Sequence, residues 1–222
     1  MKLLFLHAWR RWYVLLAGLL LFGVTFGFQA DLNLYSLVTI AESTCFFVFA
    51  VLGAFVLSNS DEVELCKCYG LRLSSLLTAQ ILPLFSCALV GSIPVMCFYE
   101  IEGLTAGMRL QLCASAVVTL AFWLCISVFV RVLIRNTYAV IGFLMILYWP
   151  VTSFHNACKE ASVPPELFVL DPFLSALMFQ EKYGPVPQET WLINRILFLA
   201  VAAALYAVAC LMINSKRFED LK

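Results

Sequence analysis

The chain of 222 residues is 63% hydrophobic and only 13% charged, with a mean hydropathy of +0.95 and a formal net charge of zero. That balance lies well outside the range of ordinary soluble domains, and nothing in it calls for a nucleic-acid partner. At about 20 residues per span, about five to seven helices fill nearly the whole length and leave no room for a soluble catalytic domain, so the expected fold is an all-α polytopic membrane protein.

In chain order, Lys2, Arg10 and Arg11 precede a first apolar run over residues 12–28. Residues 27–30 do not make a convincing small-residue cleavage site and further runs follow, so this run reads as an uncleaved first span rather than a signal peptide. Gly23 and Gly27 within it form a GxxxG pair, a spacing that permits close helix approach; it serves either dimer packing or ordinary packing within one subunit. The next predicted spans cover residues 37–57 and 76–99.

Between them lies a short charged stretch, residues 58–83, whose chemistry predicts a helix over residues 60–70 on the membrane surface. Asn59 can cap it with Glu62 three positions on, Asp61, Glu62 and Glu64 suit the positive end of the helix dipole, and Glu64 can pair with Lys67. Gly70 supplies a stop and Ser74 restarts the chain, making a rigid elbow between two spans. Glu62, Cys66 and Tyr69 fall on one stripe with Leu65 adjacent, an apolar anchor ringed by acids; the plain alternative is a solvated interfacial loop.

Spans four and five are predicted over residues 110–130 and 137–154, the latter shortened or kinked near Pro150, and span six over residues 191–213. The intervening residues 155–190 carry Pro164, Pro165, Pro172, Pro185 and Pro187 around two apolar pieces, 167–170 and 173–179, too short to cross. They suit interfacial or re-entrant helices held against other protein. With six spans, ten of the 14 Lys and Arg residues fall on the side of both termini and the elbow, and four on the other. The positive-inside rule then puts both termini and the elbow in the cytoplasm and the proline-rich hairpin outside, in a multi-pass cell (inner) membrane protein.

In this order of parts the chain resembles the permease subunits of the ABC type 2 exporter family. The similarity runs through Glu64-Leu65, then Gly70 and Arg72, then Leu76, Leu77, Gln80 and Leu82-Pro83, through Asp171-Pro172-Phe173 where the family has Asn-Pro-Phe, and through Trp191 and Asn194-Arg195 with a basic Lys216-Arg217 close. The resemblance implies six transmembrane helices, a cytoplasmic coupling helix between helices 2 and 3, and an extracytoplasmic re-entrant hairpin between helices 5 and 6. It implies that Glu62, Glu64, Leu65, Cys66, Tyr69 and Gly70 form the element that couples to an ATPase, and that Asp171, Pro172 and Phe173 belong to the outer hairpin. No GxxxxGK[ST] phosphate loop is present, so ATP and Mg would sit on a separate chain, two cytoplasmic ABC ATPase subunits per complex.

Glu42 and Arg195 lie at matching depths inside spans two and six, which predicts a pair gating the outer vestibule; a snorkelling Arg195 is the plain alternative. The nine cysteines form neither a disulfide nor a metal framework: most sit inside spans, Cys66 and Cys68 make an isolated CxC, Cys158 lies in the outer loop, and His7 and His155 fall on opposite sides. No hydrolytic constellation is present, so the chain is not expected to be an enzyme and needs no cofactor of its own. The aromatic residues, 14% of the chain, either line a dimer interface or face lipid, and Trp12, Trp149 and Trp191 suit the interfacial belt. The expectation is the transmembrane subunit of an ATP-driven exporter moving a hydrophobic or amphipathic substrate by alternating access, paired with a second copy or a related permease. The alternative is a partner-free membrane scaffold or accessory subunit.

Overall fold

A computed structural model describes residues 46–56, 63, 64, 66, 68–98, 105–134, 136–160, 162–174, 179–180 and 184–214. Among these, α1 (Phe46–Gly53), α2 (Leu73–Phe98), α3 (Ala106–Leu133), α4 (Thr137–Lys159) and α5 (Gln188–Asn214) carry the architecture. Between α4 and α5 lie a 3-10 helix, Pro165–Leu170, and two antiparallel two-residue strands, β1 (Phe179–Gln180) and β2 (Gly184–Pro185), with Phe179 opposite Pro185. Three helices, α3, α4 and α5, are each long and apolar enough to cross a membrane, and the protein is an α-helical membrane protein.

Local chemistry sets the helix starts. Thr105 caps α3 by accepting from Met108 N at 3.3 Å. Asn136 caps α4 by accepting from Tyr138 N at 2.9 Å and Ala139 N at 3.3 Å, which lets α4 begin within four residues of the last turn of α3. The helices overrun the predicted spans at both ends of α3 and α5. The largest difference is α4, which continues through Pro150 to Lys159 rather than ending near residue 154. Proline leaves the carbonyl of Ile146 without its N–H, and in the next turn the Thr152 hydroxyl donates to Tyr148 O at 3.0 Å and Trp149 O at 2.9 Å.

Helix α3 is the most enclosed, with buried side chains from Leu112 through Trp123 to Val132, and α1, α2 and α5 pack around it. Helix α4 is the least enclosed and presents Tyr138, Met145, Ile146 and Trp149 outward. The tightest approach is between α1 and α3, where a Cβ added at Gly53 would meet Ser127 Oγ at 2.9 Å, and Ser127 Oγ donates to Ala50 O at 2.5 Å. Small residues at such a crossing replace the hydrophobic driving force that lipid cannot provide between helices. Arg131 closes the same region, donating from Nε to Val56 O and from Nη1 to Ile134 O, both at 3.2 Å.

The described segment before α2 carries helical geometry at residues 63, 64, 66 and 68, then turns at Tyr69 and Gly70. Gly70 adopts a φ of +63°, and Leu71 N donates to Cys66 O at 2.9 Å, the six-residue closure of a Schellman stop. The expected glycine stop is therefore present, and α2 begins at Leu73, two residues after Leu71 donates.

Candidate functional site

The most concentrated chemistry lies where α4 ends and α5 begins, in and around Asp171-Pro172-Phe173. The sequence dictates a turn there: Asp at the first position and Pro at the second are the residues a tight turn prefers, and Leu174 N donates to Asp171 O at 3.2 Å. Asp171 Oδ1 also accepts from Phe173 N at 3.0 Å, which fixes the carboxylate over its own turn. Its other oxygen, Oδ2, lies 2.7 Å from Nδ1 of His155 on α4, the separation of a charge-assisted hydrogen bond with the ring N–H donating.

Helix α5 holds the same turn from the opposite side. Asn194 Nδ2 donates to Val169 O and Asp171 O, both at 2.8 Å, and more weakly to Phe168 O at 3.4 Å. Arg195 donates from Nε to Asn194 Oδ1 at 2.8 Å, from Nη1 to Thr119 Oγ1 at 2.9 Å and Ser115 O at 3.3 Å, and from Nη2 to Pro172 O at 3.2 Å. Thr119 donates in turn to Pro172 O at 3.1 Å, and Trp191 Nε1 donates to Ser115 Oγ at 2.9 Å. Ser115 and Thr119 on α3, and Trp191 and Arg195 on α5, are each four residues apart, so both pairs present one helix face to the other.

Phe173 extends the turn into the apolar core. Its ring stacks on Trp123 of α3 at a centroid distance of 5.9 Å and meets Tyr148 and His155 of α4 edge-on at 6.3 and 5.5 Å. Asp171 and Phe173 are completely buried and Arg195 is 4% exposed, so charged and aromatic groups are enclosed together. A buried arginine is tolerable only when its donors are spent on acceptors, and here carbonyls and hydroxyls take them. The arrangement binds three helices and the hairpin into one block at this end of the protein.

Arg195 thus turns into the protein, and the snorkelling conformer that would carry it to lipid headgroups is not adopted. Glu42, Gly23 and Gly27 lie outside the described residues, as do Glu62 and Leu65. In the elbow, Glu64 is exposed and Tyr69 is 74% exposed, whereas Cys66 is fully buried within this chain; Cys66 and Tyr69 do not share an outward stripe. The buried Cys66 anchors the elbow and Tyr69 projects from it. Trp191, assigned from sequence to the interfacial belt, is instead buried and hydrogen-bonded, while Trp149 is exposed as a belt residue would be. The apolar piece at 173–179 is not a helix over its described residues: Phe173 and Leu174 close the turn and Phe179 lies in β1.

Sequence reasoning missed His155, Ser115 and Thr119. Polar residues at i, i+4 in span four, Ser115 and Thr119, were the available signal. Among the described residues, no group of three or more His, Cys, Asp or Glu side chains could hold a metal ion. No family model, curated protein or solved structure matches this chain.

Proposed function

We propose that this chain is the transmembrane subunit of an ATP-driven exporter of the ABC type 2 kind. In this reading six spans, a cytoplasmic coupling helix and an extracytoplasmic re-entrant hairpin make up the permease, two copies or relatives of it pair, and two separate ATPase chains bind ATP and Mg. The cargo is hydrophobic or amphipathic, moved from the cytoplasm or inner leaflet by alternating access.

The observation that carries the reading is how the elbow is attached. Glu64 and Tyr69 are exposed on a segment stopped by the left-handed Gly70 and anchored by the buried Cys66, and α2 follows with no slack. The start of α2 is tied to the end of α5: Ser74 N donates to Asn214 Oδ1 at 3.3 Å, Asn214 Nδ2 donates to Ser74 Oγ at 3.0 Å, and the hydroxyls of Thr78 and Tyr206 lie 2.6 Å apart. A push on Tyr69 would reach two apolar helices at once, which is what a coupling element needs. Along α5 the same push would arrive at Arg195 and the hairpin.

Purification through a tag on this chain tests the proposal. An ATPase should co-purify in one-to-one ratio, and Glu64→Arg with Tyr69→Ala should release it or uncouple its hydrolysis from cargo. A second reading, a membrane scaffold or accessory subunit, is favoured by the interior polar groups of α3 and α5 being bonded to one another and to the hairpin rather than to an open lining. Absence of an ATPase from the purified chain, or an ATPase indifferent to the double change, would select it.

A further inference from the structure

Helices α4 and α5 differ in how far their outward surfaces stay apolar. On α5 every exposed residue from Leu192 to Leu211 is apolar. That run covers about 29 Å, close to the thickness of a hydrocarbon core. On α4 the exposed apolar run starts at Tyr138 and reaches only Trp149, about 17 Å. Between Pro150 and the end of α4 at Lys159 the exposed residues are Ser153 and Asn156, which continue the stripe that Trp149 occupies. Asp171 sets the two helices in register: its Oδ2 lies 2.7 Å from His155 Nδ1 and its carbonyl accepts from Asn194 Nδ2 at 2.8 Å. Helix α4 runs toward the hairpin and α5 away from it, so Ser153 lies at the level of Ile196 and Asn156 at the level of Ile193. Those isoleucines are 61% and 56% exposed on the apolar face of α5. At the depth where α5 presents isoleucine to lipid, α4 presents a hydroxyl and a carboxamide. Neither of these side chains has a hydrogen-bond partner among the described residues, and hydrocarbon would supply none.

We infer that the outward face of α4 beyond Trp149 meets water, as one wall of an aqueous vestibule that enters the membrane from the hairpin end. Its floor is at Trp149, about 12 Å deeper than the level at which Leu192 brings α5 into lipid. The wall offers Ser153 and Asn156, with exposed Glu160 beyond them at the mouth, a surface suited to water and to uncharged hydrogen-bonding solutes. The inference rests on α5 crossing the membrane and not on the exporter reading.

The test is thiol labelling of the full chain, in nanodiscs large enough for two copies, with a charged maleimide and site-by-site readout by peptide mass spectrometry. Ser153→Cys and Asn156→Cys are made separately, at exposed positions where the change disturbs no packing, and either decides alone. Ile196→Cys marks the same depth on the apolar face of α5, and Ser162→Cys marks an exposed position beyond the end of α4. A thiol facing hydrocarbon keeps its proton and does not meet a charged reagent, so Ser153→Cys and Asn156→Cys should label at least about tenfold faster than Ile196→Cys and within about tenfold of Ser162→Cys. A rate at either position equal to that of Ile196→Cys means that lipid or another helix covers the face, and overturns the vestibule. Oxidation of Asn156→Cys with copper phenanthroline addresses a second copy: the chain should stay monomeric, and a disulfide-linked dimer that the unaltered chain does not form would seat that copy on this face and overturn the proposal.

Discussion

Asn194 is the residue whose loss should tell most about the hairpin end. Its amide makes two 2.8 Å bonds to the carbonyls of Val169 and Asp171 and accepts a third of 2.8 Å from Arg195 Nε. Asn194→Leu keeps volume and removes all three. In soluble proteins a neutral hydrogen bond nets about 1 kcal/mol and one to a charged group about 1.5–3, which sums to about 4 kcal/mol. Within membranes, interhelical polar bonds average about 0.6 kcal/mol because the unfolded chain finds other partners, which gives about 2. The expected loss therefore lies at about 2–4 kcal/mol, or a fall of about 5–15 °C in the unfolding midpoint for a chain of this size. Thermal unfolding in nanodiscs followed by tryptophan fluorescence measures it, with Leu211→Ala as reference because Leu211 is 72% exposed on the apolar surface. Asn194→Asp separates the two roles: it keeps an acceptor for Arg195 but sets a carboxylate against two carbonyl oxygens, and should cost at least as much as Asn194→Leu. A midpoint for Asn194→Leu equal to that of Leu211→Ala would refute the claim that these bonds hold the hairpin.

Two further outcomes follow from close approach and backbone geometry. Gly53→Ala places a Cβ 2.9 Å from Ser127 Oγ and should destabilise by about 1–3 kcal/mol, and Ser127→Gly in the same chain should recover most of that by removing the atoms it meets; a double-mutant unfolding series checks it. At Gly70 nothing lies within 4 Å of an added Cβ, so Gly70→Ala meets only the left-handed backbone, a cost of about 1 kcal/mol, and Gly70→Asn should cost less; equal unfolding midpoints for the Ala and Asn forms would count against this account.

Length and apolar composition made α3, α4 and α5 legible, and a glycine marks the stop before α2. The boundaries moved where side chains intervened. Proline alone argues for an end near residue 150, but α4 runs on to Lys159, with the Thr152 hydroxyl bonded to the carbonyls of Tyr148 and Trp149 in the turn after it. Asp171, Pro172, Phe173 and Arg195 stood out in the sequence, and all four meet in the hairpin block. Their partners did not stand out, because a serine or threonine in an apolar span is unremarkable until a second helix brings an arginine to it. His155 counted in the sequence only as one of two histidines on opposite sides, too few for a metal site; what it meets is a carboxylate 16 residues on, a pairing that the turn at Asp171 creates.

The two ends of the bundle are built on different principles, and this bears on how the molecule could move. At the elbow end, short polar contacts between α2 and α5 involve neutral, partly exposed groups such as Ser74 and Asn214, which water or headgroups can replace at little cost. At the hairpin end the bonded groups include a carboxylate and a guanidinium with almost no exposure, so separating them would leave charges in an apolar setting without their partners. Motion passed along α5 therefore meets a stiff terminus, where Arg195, Thr119 and Pro172 move together or not at all. What remains free to yield is the elbow end, where Ser74, Thr78, Tyr206 and Asn214 can exchange one another for water or headgroups.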